Sequence, residues 1–244
     1  GLDGVAGAKG ELVEALPASG AAILNADDDR VAAMAARTGA SVVTFGWAGV
    51  VRPADIELDD RARARFVVHS PWGRAEVTLP VPGMHMVSNA LAALAVAGTV
   101  GVDLDAAAAA LAEVSVSGMR MEVLVASSGA TIINDAYNAN PTSMAAALDA
   151  LAEIHAERRI AVLGLMAEIE DPEQAHRAIA AHADELGIEL VAVGTDLYGV
   201  EPVDDVRSAA GQLGPRDAVL VKASRSAGLE RVVVELQHGG ERQG

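Results

Sequence analysis

From residue 121 onward, short runs of β-branched and aliphatic residues alternate with longer amphipathic stretches, and few folds accept that alternation. Met121–Ala126 and Ala130–Ile133 read as a strand pair, Thr142–His155 as helix and Ile160–Gly164 as strand. Pro172–Leu186 reads as a helix ended by Gly187, and Glu189–Gly194 as strand. Val203–Leu213 is expected to be helical, Asp217–Lys222 extended, and Ala227–Gln237 the last helix. Strands separated by helices imply a mostly parallel sheet covered on both faces, an α/β architecture. The strand ends Asn134–Asn140, Gly164–Glu170, Gly194–Tyr198 and Lys222–Ser226 should then gather on one rim, where such sheets bind ligands.

One of those ends is unusually polar. In TIINDAYNANPTSM (131–144), Asn134, Asp135, Tyr137, Asn138 and Asn140 follow three β-formers, and Asn140-Pro141 then opens a helix. A turn needs only one or two such residues, so the density points to a site at a helix N-terminus. Lys222-Ala223-Ser224-Arg225-Ser226 also joins a strand to a helix. Its two cations, two hydroxyls and free backbone N–H groups suit a carboxylate or phosphate.

The first half is less regular. Lys9–Leu16 reads as a short helix, Ala21–Asn25 and Ser41–Phe45 as strands, and Arg65–His69 with Arg74–Leu79 as a hairpin. Asp27–Asp29 precede a helix and read as capping acids rather than a metal site. Pro80–Gly83 is expected to break the chain before a helix over Met84–Val100, followed by another over Asp103–Val114. His85 and Asn89 share one face of the first of these. They can cap it, or pair with a base edge. Ser115–Met119 is a small-residue connector, which places a domain boundary at 118/119. Arg120, just after it, can clamp a phosphate or pair with Glu122.

Composition excludes some classes. A net charge of −16 argues against a nucleic-acid backbone as partner, though not against one nucleotide held by local groups. With no cysteine there are no disulfides and no thiolate metal sites. The six histidines form no HExxH pattern, and His69 reads as structural. Neither a signal peptide nor a membrane-length apolar run is seen, so a soluble, cytoplasmic protein is the default. No G-x-x-x-x-G-K-[ST] string occurs, and GVAGAKGE near the start does not supply one. A chain that opens on Gly1 rather than Met reads as a piece of something longer. Oligomeric state is not set by any of these features.

The strings AKGEL (8–12), LNADDD (24–29), PGMHMVSNALAALA (82–95), MRME (119–122), NDAYNANPTSM (134–144) and LVKASRSAGLERVV (220–233) resemble, in order, those of the Mur ligase family. The DAYNANP and VKASRS strings are those of its MurF branch, which joins D-alanyl-D-alanine to UDP-N-acetylmuramoyl-tripeptide. The resemblance implies that residues 1–118 are the back part of a central ATPase domain and 119–244 a Rossmann-like C-terminal domain. The N-terminal domain, the P-loop and the central domain's catalytic acid would lie outside this sequence, so the chain alone is expected not to catalyse. The implied chemistry uses ATP and Mg²⁺ to make an acyl phosphate that the dipeptide amine attacks.

By the same resemblance Lys9 matches a carbamylated, Mg²⁺-associated lysine, His85 and Asn89 the adenine side, and Arg120 the ATP phosphates. Asp135 matches a ribose-bonding residue, with Tyr137 beside the nucleoside. Asn138, Asn140, Lys222, Ser224 and Arg225 match loops facing the dipeptide. Leu165 departs from the family, which usually has an acid there. Two rivals remain: another Mur or folylpolyglutamate-type amide ligase, and a non-catalytic nucleotide-binding module on the same scaffold.

Overall fold

The computed structural model describes residues 1–114 and 118–237. Part of the expected Ser115–Met119 connector therefore lies outside the described residues. The chain forms two compact units. One comprises Gly1–Asp59, Arg63–Pro80 and Met84–Val114; the other holds the described residues from 118 onward with Asp60–Ala62 and Val81–Gly83.

In the first unit, α1 (Leu2–Glu14) precedes β1 (Ala21–Asn25), α2 (Asp29–Ala33) and β2 (Ser41–Phe45). The strands β1 and β2 pair in parallel, from Ala21 opposite Ser41 to Asn25 opposite Phe45. Helix α1 begins earlier than expected. Its glycines at 4, 7 and 10 weaken helix propensity and masked it in the sequence. Asp28 caps α2, its side chain accepting from the N–H groups of Arg30 and Val31, which bears out the capping reading for that residue, while Asp27 instead accepts from the N–H groups of Trp47 and Ala48.

A second sheet in this unit has the order β3 (Arg52–Leu58), β4 (Arg63–Ser70), β5 (Gly73–Pro82). The break expected at Pro80–Gly83 comes later, because β5 continues through Pro80 to Pro82. An edge strand tolerates proline, whose missing N–H then costs no ladder bond. Helices α3 (His85–Thr99) and α4 (Leu104–Ala112, capped by Asp103) complete the unit.

In the second unit, β6 (Glu122–Val125), β7 (Thr131–Asp135), β8 (Arg158–Leu163), β9 (Glu189–Ala192) and β10 (Asp217–Lys222) form one sheet in the order β6-β7-β10-β8-β9. Only β6 is antiparallel. Alternate side chains feed two cores. Ile133, Ala161, Leu163, Ala218 and Leu220 pack with α5 (Pro141–Glu153) and α6 (Pro172–Glu185). Ile132, Ile160, Val162, Val219 and Val221 pack with α7 (Val206–Ala210) and α8 (Glu230–Gln237). This is the period-two division of a sheet buried on both faces.

Two helices are shorter than expected. Asp205 caps α7 through the N–H of Ser208, and Gly211, at φ +67°, ends it. Gly228, at φ +64°, separates a 3₁₀ turn over Arg225–Ala227 from α8. Among the described residues no helix is long and apolar enough to cross a membrane.

The turn after β8 is tightly packed. A β-carbon on Gly164 would lie 2.8 Å from Ala223 Cβ and 3.1 Å from Leu229 Cδ1. Alanine's methyl has no torsion that could relieve this. Gly164→Ala is expected to lower stability by about 1–3 kcal/mol, measured as a shift in the urea unfolding midpoint.

Candidate functional site

The parallel strands β7, β10, β8 and β9 all end on the same side of their sheet, so the loops after them share one rim. In the ladder Lys222 stands opposite Asp135. Register therefore places the last side chains of the two strands beside each other. The Lys222 Nζ donates to Asp135 Oδ2 at 2.5 Å and to the Asn138 carbonyl at 2.9 Å. The ammonium side chain is 3% exposed and the carboxylate 14%. Taking two charges out of water costs several kcal/mol each, which their pairing must offset.

The other carboxylate oxygen reaches backward along the chain. Asp135 Oδ1 accepts from the Met121 N–H at 3.0 Å. Met121 is left-handed at φ +51°, and so is Met119 at +65°. Non-glycine residues pay about 1–2 kcal/mol for that conformation. The turn is pinned at further points. Met119 N–H donates to Glu122 Oε2 at 3.2 Å, Asn134 Nδ2 donates to the same oxygen at 2.9 Å, and Tyr137 N–H donates to the Met119 carbonyl at 3.1 Å.

Between the two strained residues stands Arg120. Its guanidinium carbon lies 4.1 Å from the Tyr137 ring centroid, and that of Arg225 lies 5.3 Å from the same centroid. All three side chains are exposed. Each such contact is worth about 0.5–1 kcal/mol at an exposed site. The ion pair with Glu122 that the sequence allowed is not what forms, since Glu122 serves Met119 and Asn134. Two exposed cations on one ring give this rim a local positive patch in an otherwise acidic chain, while Lys222 is already paired with Asp135.

Ser224 joins the loops. Its N–H donates to the Leu165 carbonyl at 2.9 Å, and its hydroxyl oxygen accepts from Ala167 N–H at 2.8 Å. The hydroxyl also lies 3.4 Å from the Ala139 carbonyl. Both Lys222 and Ser224 were expected to face a substrate. Here they are buried and engaged by the chain itself, because the loops they join leave backbone groups that only these side chains reach. Asn140 caps α5 in a reciprocal pair with Ser143. Asn138 is exposed, as is Leu165 at the end of β8.

Behind this rim, buried His176 accepts from Met166 N–H at 2.9 Å and donates through Nδ1 to the Pro172 carbonyl at 2.6 Å. Its ring meets Tyr198 edge-on at 4.8 Å. Tyr198 donates to the Gly164 carbonyl at 2.7 Å. Reading the sequence missed both residues as supports.

The remaining expected residues lie in the first unit. His85 is half-buried at the start of α3, and Asn89 is exposed one turn on, with Nδ2 3.5 Å from Met86 Sδ. Lys9 is exposed on α1 and shares a face with exposed Leu2, Val5 and Leu12. Among the described residues no three His, Asp or Glu side chains converge as a metal site.

Comparison with known proteins fits this arrangement. The Mur ligase middle domain matches residues 1–97, and the Mur ligase, glutamate ligase domain matches residues 119–240. The chain belongs to the Mur ligase family. This Mur ligase chain is 42% identical, over 93% of its length, to the UDP-N-acetylmuramoyl-tripeptide–D-alanyl-D-alanine ligase of Mycobacterium tuberculosis (strain ATCC 25618 / H37Rv), of which it covers 53%. It is 34% identical to the Escherichia coli (strain K12) enzyme of the same name, over 98% of this chain and 57% of that one. A crystal structure of MurF from Acinetobacter baumannii superposes with a TM-score of 0.86 at 29% identity, covering 97% of this chain and 56% of that one. The chain thus spans about half the length of the curated relatives it matches.

Two outcomes follow from this geometry. Lys222→Met leaves the Asp135 carboxylate without its counter-ion and is expected to cost about 3–5 kcal/mol, read from chemical denaturation. Burial pushes the Tyr198 phenol above its usual value. The unfolded chain ionises this group near pH 10, while the folded chain resists. Its contribution is whole below about pH 10 and is lost as pH rises further. The alkaline decline in unfolding free energy should therefore be shallower in Tyr198→Phe.

Proposed function

We propose that this chain is part of an ATP-dependent amide ligase that joins D-alanyl-D-alanine to UDP-N-acetylmuramoyl-tripeptide. Residues 1–118 are the back part of its nucleotide-handling central domain, and 119–244 form the domain that receives the acceptor. The observation that carries this reading is the likeness to ligases of that name over more than nine-tenths of the chain. The rim supports it physically, with two exposed cations grouped on one ring and able to hold an anion.

In this reading the tripeptide carboxylate takes the γ-phosphoryl group of ATP and becomes an acyl phosphate. The dipeptide amine attacks its carbonyl carbon, and phosphate leaves. Arg120 offsets charge on the phosphoryl oxygens as it is transferred, the kind of prearranged electrostatic help such reactions rely on. Tyr137 lies beside the nucleoside, and His85 and Asn89 offer the base donors and acceptors. Arg225 serves the acceptor's carboxylate, flanked by Asn138 and Asn140. Lys222 and Ser224 serve the acceptor indirectly, by fixing the loops that face it. Lys9 becomes an anion once carbamylated. Asp135 bonds the ribose through acceptor lone pairs left beside its bonds to Met121 and Lys222, since each carboxylate oxygen can accept twice. The Mg²⁺ of the family chemistry finds no ligand set among the described residues, and no step is assigned to it.

Partial likeness to a second ligase, the UDP-N-acetylmuramate–L-alanine ligase of Stenotrophomonas maltophilia (strain K279a), covers only 62% of the chain. It favours the dipeptide ligase by contrast.

The test is phosphate release from ATP that depends on both UDP-N-acetylmuramoyl-tripeptide and D-alanyl-D-alanine, measured on the ligase that contains this chain. Arg120→Ala is expected to reduce turnover by about 10²–10³-fold, and unchanged turnover would remove its phosphate role. L-Alanine accepted as readily as the dipeptide would sink the acceptor assignment. The 244-residue chain alone should hold ATP no more tightly than about 1 mM.

A further inference from the structure

We infer that Asp135 is a positioning residue, which fixes Arg120 over Tyr137 by holding the left-handed backbone of Met121, and which Lys222 in turn holds in place. This rests on, and goes beyond, the proposed phosphate role of Arg120.

Three observations converge on it. First, the backbone that presents Arg120 does not hold its shape by local preference. Its neighbours on both sides, Met119 and Met121, are left-handed without being glycine. Such residues persist where surrounding structure over-determines them, and they cluster at working sites. Second, the contact that holds Met121 is the 3.0 Å bond from its N–H to Asp135 Oδ1. Third, the carboxylate cannot drift from that N–H without giving up Lys222, because its second oxygen is 2.5 Å from Nζ in a pair almost closed to solvent.

The carboxylate therefore acts on two sides at once. Toward β6 it sets the backbone that carries Arg120. Toward β10 it holds the lysine that fixes the Asn138 carbonyl, one residue beyond Tyr137. Cation and ring are thus each reached by an arm of one carboxylate, beside the direct bond from the Tyr137 N–H to the Met119 carbonyl.

The experiment is NMR of the 244-residue chain with Arg120 side-chain protons assigned. The ring current of Tyr137 shifts them upfield, and Tyr137→Leu gives the value without the ring. In Asp135→Ala the Arg120 protons should move to the Tyr137→Leu position, and the dissociation constant for inorganic tripolyphosphate should rise about tenfold. Asp135→Asn keeps an oxygen for the Met121 N–H and should retain most of the ring-current shift. A folded Asp135→Ala chain with its Arg120 shift intact overturns the proposal. Loss of the shift with unchanged tripolyphosphate affinity supports the positioning role and overturns the phosphate role of Arg120 instead. Should Asp135→Ala fail to fold, hydrogen exchange in the unaltered chain decides. The Met121 N–H should be protected at least about a hundredfold, and exchange at the random-coil rate overturns the proposal.

Discussion

The ion pair between Asp135 and Lys222 is the interaction on which the rest of the rim depends. Adjacent parallel strands place their last residues side by side, so a carboxylate and an ammonium at matching positions meet without any help from loops. Their burial makes the meeting obligatory, because either charge alone would be stranded among apolar strands. Each partner then makes a second bond to a backbone group, Asp135 to Met121 and Lys222 to Asn138. A contact between two strand ends is thereby converted into a fixed geometry for two loops. The precision lies in the sheet, and the loops inherit it.

The sheet's topology explains why these two strands are neighbours. Helices α5 and α6 cover one face, and α7 and α8 the other. The chain changes face on its way from β9 to β10, and β10 enters between β7 and β8. That insertion brings the loop after β10 between the loops after β7 and β8. Ser224 bonds to both sides from there, touching Leu165 and Ala167 on one flank and Ala139 on the other. Gly164 has no room for a side chain because Ala223 is already packed against it.

The architecture was legible because burial on two faces leaves a strong imprint. Runs such as Ile160–Gly164 and Asp217–Lys222 have no polar alternation, and only a covered parallel sheet accommodates them. Polar density at Asn134–Asn140 and the cations at Lys222–Ser226 exposed the rim for the same reason, since such residues are out of place between buried elements. What stayed hidden depends on geometry that composition does not encode. Nothing in Gly-Met-Arg-Met-Glu announces two left-handed methionines, because the bond that meets Met121 comes from Asp135, outside that string. The inward turn of Lys222 and Ser224 was equally invisible, because a lysine after a strand reads the same whether it faces water or a buried acid. Helix starts at Val206 and Glu230 were missed where Asp205, as a cap, and Gly228, as a left-handed break, set the boundary locally.

An acidic chain that gathers cations at one place presents an apparent conflict, since a net charge of −16 should repel phosphates. Distance resolves it. In physiological salt a charge is screened beyond about 8–10 Å, so an approaching phosphate responds to the few groups nearest it. Arg120 and Arg225 are the cations gathered at this rim, and both sit against one aromatic ring. Holding two like charges near each other is unfavourable in the free protein, and the ring's negative face offsets part of that repulsion. The arginines need little rearrangement when an anion arrives, because ring and backbone have already set their positions. An anion held there would relieve a repulsion that folding imposed, which is how a few fixed charges can outweigh the average field of a protein.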